Sequence, residues 1–94
     1  MYKIIYSELV INKDFRKINE RDKQIIAKTI TKKLKIRPEV FGKLLNKKLK
    51  GLYRLRVMHY RVIYKIEKEK IEVFIVHVGV RRDSEVYLEA TRRL

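Results

Sequence analysis

Four arginines and one tyrosine, Arg54, Arg56, Arg61, Arg81 and Tyr87, are the side chains of this chain best suited to gripping a phosphate and a planar ring. Three of the arginines fall within LYRLRVMHYRVIYK, residues 52–65. Read as antiparallel strands over 52–57 and 60–66, this run puts Leu52, Arg54 and Arg56 on one face and Tyr53, Leu55 and Val57 on the other, since strand side chains alternate with a period of two. A turn at Met58 and His59 then sets Val57 opposite Tyr60 and Arg56 opposite Arg61. Like charges opposed across a ladder are destabilising, so the pattern points to an anion between them. A solvated strand face in a very basic protein explains the same residues without a ligand. Arg81 follows the next strand, at the sheet edge where Arg61 also lies, and Tyr87 sits one turn into a last helix. A tyrosine there either packs on the sheet or stacks on a nucleobase, a contact worth ~1–3 kcal/mol per base. Four guanidiniums and a tyrosine around one cleft describe a phosphate-binding, base-stacking site.

The other usual catalytic sets are missing. No cysteine is present, which excludes disulfides and thiolate metal sites. His59 and His77 are not spaced as metal ligands and have no paired carboxylate beside them. His59 reads as a solvated turn residue, and His77 as a satisfied core histidine on the helix-facing side of an apolar strand. No serine has an obvious base next to it, and no glycine-rich loop cradles a nucleotide. What remains is chemistry on an anion with neither metal nor cofactor.

The charge supports an anionic partner. Lysine and arginine number 25 against 11 acids, giving +14 and a pI near 10.2. From Lys23 to Ile66 there are fourteen basic residues and a single acid, Glu39, so this segment alone carries +13. Such an excess favours polyanions, nucleic acid first. Lys28, Lys32 and Lys35 on a helix, with Lys43, Lys47, Lys48 and Lys50 after it, extend a broad and partly continuous surface suited to RNA or ribosome phosphates. Genome composition or thermal adaptation accounts for many lysines, but ion-pair networks need interleaved acids, and here the charges are segregated. With no signal peptide and no long apolar run, the expectation is a cytoplasmic protein with no membrane partner.

Ninety-four residues suffice for one domain, 1–94, and one core. Residues 2–6 form a short strand by β-branched and aromatic content. Ser7 caps a first helix over 8–18, where Ile11, Phe15 and Ile18 recur at helical spacing. Asn19 caps a second, with Glu20 and Asp22 in its first turn, a buried stripe of Ile26, Ile30 and Leu34, and Pro38 stopping it near Ile36. From 39 to 51, Phe41, Leu44, Leu45 and Leu49 fit no single period, and the stretch reads as a connection. After the arginine hairpin and a turn at 67–70, residues 71–78 are apolar at nearly every position, the mark of a strand covered on both faces. Gly79 ends it, and Ser84 caps a last helix over 85–93. The order β-α-α-β-β-β-α gives an α+β fold: an antiparallel sheet with the N-terminal helical hairpin on one face and a short C-terminal helix. Tyr53, Leu55, Val62, Tyr64 and Ile66 then meet Ile26, Ile30 and Leu34, while Arg54, Arg56 and Arg61 face away.

The segments YRLR, YRVIY and VGVRRDSEVY, in this order and spacing, resemble the RelE toxins, ribosome-dependent messenger RNA interferases of type II toxin–antitoxin pairs. The resemblance spans essentially the whole chain and implies a RelE-like, microbial-RNase-like fold. It also implies metal-independent cleavage of messenger RNA in the ribosomal A site by attack of the 2′-hydroxyl, with a RelB-like antitoxin as partner. By the same resemblance Arg54 and Arg56 stabilise transition-state charge, Arg61 clamps the phosphate, Arg81 serves the leaving oxygen and Tyr87 stacks on a base. The family's well-known member has lysines where this chain has Arg54 and Arg56. An arginine, with a pKa above ~12, does not serve as a base, so the proton acceptor stays unassigned. Two rivals stand beside this reading: a ParE-like toxin that poisons DNA gyrase, and a basic RNA- or ribosome-binding module without catalysis.

Overall fold

In the computed structural model, which describes residues 1–45, 51–80 and 85–94, a five-stranded sheet separates two layers of helix. Its strands are β1 (Lys3–Tyr6), β2 (Lys43–Leu44), β3 (Tyr53–Val57), β4 (Tyr60–Glu67) and β5 (Glu72–Val80), ordered β1-β5-β4-β3-β2. The β3–β4 hairpin has the expected register, with Arg56 opposite Arg61 and Val57 opposite Tyr60. Met58 at its turn takes a positive φ of 52°. The α+β class holds, with one change in the sheet: β1 pairs with β5 in parallel, while every other pair is antiparallel. The helices between β1 and β2 carry the chain across the sheet, and that crossover is what allows a parallel neighbour.

The longest helix, α1 (Glu20–Leu34), begins as its cap predicts, with the Asn19 side chain accepting from the Asp22 amide at 2.8 Å. Ile26, Ile30 and Leu34 are fully buried against Leu55, Val57, Val62, Tyr64, Val73 and Ile75, the main core. Asp22 also accepts from the Tyr60 hydroxyl at 2.7 Å, tying the start of α1 to the hairpin. The first expected helix is irregular: a π-helical turn, Val10–Asp14, runs into a 3-10 turn, Phe15–Lys17. Its periodic residues split, Ile18 entering the core while Ile11 stays half exposed.

The 39–51 connection holds two elements that its composition hides. Pro38 ends one helix and opens another, α2 (Pro38–Phe41), since proline at a first helical position forfeits no hydrogen bond. Strand β2 follows on the sheet edge. Gly42 between them is a steric necessity: a Cβ there would overlap the Tyr64 hydroxyl, which donates to the Pro38 carbonyl. Burial pushes the Tyr64 phenol well above its ordinary pKa, so it stays a neutral donor.

On the opposite face of the sheet lies a smaller core, Leu52, Ile63, Val76, Val86 and Ala90, covered by the last helix, α3 (Glu85–Arg92). Strand β5 carries a bulge here. Ile63 pairs with His77 but Tyr64 pairs with Ile75, leaving Val76 as the extra residue. Strict alternation would turn His77 towards α1. The bulge turns it instead towards α3, beside Val86.

Candidate active site

Strand alternation gathers the arginines on the α3 side. Arg54 is the ladder partner of Ile63, Arg56 of Arg61, and Arg61 in turn of Gly79. Paired residues project to the same face, so the arginines rise beside the Leu52–Ile63–Val76 core. Gly79 keeps its place in this row free of a side chain; a Cβ would come within 2.8 Å of Val86 Cγ2 and 2.9 Å of His77 Cε1. The gap lets α3 settle close to the sheet and sets Tyr87 against the arginines.

The contacts are direct. The Arg61 guanidinium lies 5.0 Å from the centroid of the Tyr87 ring, in cation–π range. Arg54 Nη1 reaches the Tyr87 hydroxyl at 3.4 Å. Tyr87 packs on the smaller core, the first of its two expected roles, and presents its ring to a guanidinium. The Nε atoms of Arg54 and Arg61 are buried without a hydrogen-bond partner, and among the described residues neither arginine is paired with a carboxylate. A buried donor without an acceptor costs ~1–3 kcal/mol, and a phosphate oxygen would supply what is missing. Arg56 is exposed at the rim, across the ladder from Arg61.

Arg81, Lys47, Lys48 and Lys50, like the cap residue Ser84, lie outside the described residues. Of the remaining lysines, one shares the arginine face and two lie across the sheet. Lys43 is the ladder partner of Arg54 and shares its face. Lys28 and Lys32 are exposed on the outside of α1, so the sheet stands between them and the arginines, and Lys35 is half-buried where α1 ends. Among the described residues, Lys43 and the hairpin arginines thus lie on one side of the sheet and Lys28 and Lys32 on the other.

The histidines differ as well. His59 is exposed at the hairpin turn, as expected, with its ring 4.1 Å from that of Tyr60. His77 is buried but not satisfied, since its Nδ1 has no partner. Its Nε2 lies 3.6 Å from Asp14 Oδ1. Burial lowers its pKa, and the Asp14 carboxylate opposes that shift without overcoming it, so the ring is neutral at pH 7.

One positioning group carries no recognisable sequence signal. Arg93 donates to both oxygens of Asp14, at 2.7 and 2.8 Å, to Glu89 at 3.1 Å and to the Val76 carbonyl at 3.1 Å. Asp14 also accepts from the Val78 amide at 3.0 Å. This clamp fastens the end of α3 to the π-helical turn and to β5, which fixes the height of Tyr87 over the sheet. Among the described residues no three His, Cys, Asp or Glu side chains are grouped as a metal site would need, and no helix is long and apolar enough to cross a membrane.

Buried arginine donors under a clamped helix define an anion-binding cleft, and likeness to known proteins gives its class. Residues 4–85 match the family described as the ParE toxin of type II toxin-antitoxin system, parDE, and the chain belongs to that family. Over 52 residues it is 42% identical to the mRNA interferase toxin RelE of Escherichia coli K12, an overlap of 50% of this chain and 55% of that protein. The chain thus spans about half the length of the curated relatives it matches. Among solved structures, an arginine-to-alanine double mutant of E. coli toxin RelE in the free state superposes with a TM-score of 0.79 at 27% identity, covering 99% of this chain and 97% of that one. The toxin of the RelBE2 toxin–antitoxin complex from Mycobacterium tuberculosis superposes at 0.78 and 26% identity, covering 85% of this chain and 98% of that one.

Proposed function

We propose that this chain is a RelE-type toxin that cleaves messenger RNA on the ribosome without a metal, acts in the cytoplasm and is neutralised by a RelB-like antitoxin. The observation that carries the reading is the meeting of Arg54, Arg61 and Tyr87 at one place, with both buried Nε donors unpartnered. In the proposed reaction the 2′-hydroxyl loses its proton and attacks the adjacent phosphorus, the P–O5′ bond breaks, and the 5′ oxygen takes up a proton. The products are a 2′,3′-cyclic phosphate and a 5′-hydroxyl. Arg54 and Arg61 hold the phosphate and spread the extra charge of the phosphorane, commonly the largest catalytic contribution. Arg56 adds charge from the rim, and Arg81 enters from the resemblance alone, at the leaving oxygen. Tyr87 supports the base whose ribose must be aligned.

With the proton acceptor unassigned, the rate is taken to come from holding the 2′-hydroxyl in line, where orientation is worth up to ~7–11 kcal/mol. A ribosome that fixes the messenger would supply part of that order, and dependence on it follows. The lysines of α1, on the far side of the sheet, are placed for ribosomal RNA while the arginine face holds the messenger. An acidic antitoxin segment would complement either surface.

The family description, with its ParE name, favours one alternative, a gyrase poison. Mapping transcript ends in cells expressing the protein separates the two. New 5′-hydroxyl ends inside translated messages, absent with Tyr87→Ala, are expected. Intact transcripts together with inhibited DNA supercoiling would overturn the nuclease reading.

A further inference from the structure

Strand β1 forms one edge of the sheet, bonded to β5 on one side only. The Lys3 and Ser7 amides donate towards β5, to the carbonyls of Ile71 and Ile75 at 2.9 and 3.0 Å. Along a strand, successive residues turn their backbone groups to opposite edges, so those of Tyr2, Ile4 and Tyr6 point outward. The Tyr2 amide is taken up by the Lys35 carbonyl, just past α1, at 2.7 Å. Among the described residues nothing bonds the outward amides and carbonyls of Ile4 and Tyr6. Such a row is a template for another strand unless it is short, charged or covered. The opposite edge, β2, has only two residues, whereas β1 has four, KIIY, with a single charge.

Beside this edge, on the α1 face, runs a groove of about 500 Å³ lined by Tyr2, Ile4 and Tyr6 together with Thr31 and Lys35. Its three β1 side chains pack on the main core, and Tyr6 rests against Phe15 with ring centroids 5.9 Å apart. The walls are therefore held from below. Lys28, exposed, lies one turn before Thr31 on the same stripe of α1, and Lys35, half-buried, one turn after it. Among the described residues Lys3 also lines the groove and no acid does.

We propose that β1 takes an added strand from a partner protein, an extended acidic segment whose alternate, apolar side chains lie in the groove over Tyr2, Ile4 and Tyr6. Its backbone supplies the partners that Ile4 and Tyr6 lack, and its acids complement Lys3, Lys28 and Lys35. A second copy of this chain fits less well, since each carries +14 and would bring the same lysines together. The inference rests on the reading that an acidic partner holds this chain, and it names the conformation and the seat of one segment. The groove and the arginines lie on opposite faces of the sheet. A strand bound here therefore holds the protein without entering the cleft.

The test uses the purified chain and a synthetic eight-residue peptide of alternating valine and glutamate, with amide hydrogen exchange followed by NMR. The peptide should slow exchange at Ile4 and Tyr6 and leave Lys3 and Ile5, already bonded to β5, unchanged. The same peptide methylated at every backbone nitrogen keeps its charge but cannot pair, and should lose binding. Lys28→Gln with Lys35→Gln, which removes two surface charge pairs, should weaken the unmethylated peptide about two- to thirtyfold. Unprotected Ile4 and Tyr6, a methylated peptide that binds equally, or a double variant that binds as the wild type does would each overturn the proposal. So would protection of both amides in the protein alone with a doubled mass, which would give the edge to a second copy. The cleavage reading fails separately, if expressed protein leaves transcripts intact while the peptide still protects Ile4 and Tyr6.

Discussion

Gly79→Ala is the substitution that ties the packing of this fold to its chemistry. The backbone at Gly79 is ordinary, so the effect is steric. The new methyl would lie 2.8 Å from Val86 Cγ2 and 2.9 Å from His77 Cε1, where carbon atoms prefer about 3.5–4.0 Å. Strand β5 is held at Gly79 by its ladder with Arg61 of β4. His77 is enclosed, so α3 must lift by about 1 Å to restore ordinary contact. Overpacking of this kind costs ~1–3 kcal/mol, a loss that the folded state survives. The activity should not survive as well, because Tyr87 follows Val86 and moves with it, and a misplacement near 1 Å costs about 10²-fold in rate. Single-turnover cleavage of messenger on programmed ribosomes, with urea unfolding in parallel, measures both quantities. Adding Val86→Ala removes the clashing methyl and should return much of the rate. A folded Gly79→Ala protein that cleaves at the wild-type rate would refute the claim that the closeness of α3 sets Tyr87.

Three other outcomes are expected. Asp14→Ala strands the buried Arg93 guanidinium and the Val78 amide, and should cost ~3–5 kcal/mol in chemical unfolding, with much of it regained in Asp14→Leu/Arg93→Met; a loss below ~1 kcal/mol would contradict a buried clamp. Because burial depresses the folded pKa of His77 below its ordinary 6.5, the unfolded chain takes up the proton first. His77 therefore contributes its stability above pH 6.5 and loses it as the pH falls from there through the folded value. His77→Gln should flatten that part of the curve between pH 7.5 and 5.5, and an unchanged slope would refute the shift. Arg56→Lys should keep or raise cleavage, since Arg56 sits exposed on the rim and lysine retains the charge; a large loss would mean that the planar fork is needed.

The hairpin was legible because one signal dominates there. Period-two alternation around a two-residue turn leaves no other register that buries Leu55, Val57 and Val62 together. Asn19 and the Ile26–Ile30–Leu34 stripe made α1 legible for the same reason. Signals failed where tertiary contacts overrode a local period. The bulge at Val76 moves His77 to the other face, and nothing in VFIVHV announces it. Elements α2 and β2 are too short for periodicity, and Val40, Phe41 and Leu44 stay 60%, 47% and 57% exposed, so no buried stripe marks them. The Asp14–Arg93 clamp joins residues 79 positions apart, beyond any local pattern. The charge count was right but carried no geometry: it could not say that the sheet divides the α1 lysines from the arginines.

The same geometry holds a cleft of like charges in place. Arg54 and Arg61 each leave a buried donor unpaired, at ~1–3 kcal/mol apiece, a large part of the ~5–15 kcal/mol that holds a domain of this size together. The deficit is tolerable because α3 is bound over the arginines by Asp14 and Arg93 and by the burial of Val86 and Ala90, independently of any anion. The arginines are therefore already fixed before an anion binds. They share a sheet face with the apolar layer of Leu52, Ile63 and Val76, where charges act through a lower effective dielectric than in water. Little reorganisation is then needed as charge develops on the phosphate, which is what electrostatic catalysis requires. A site built this way gives up a base and gains a fixed field, so its rate is limited by how well the substrate is presented. On the proposed reading, that places control in whatever holds the messenger, and in whatever moves α3.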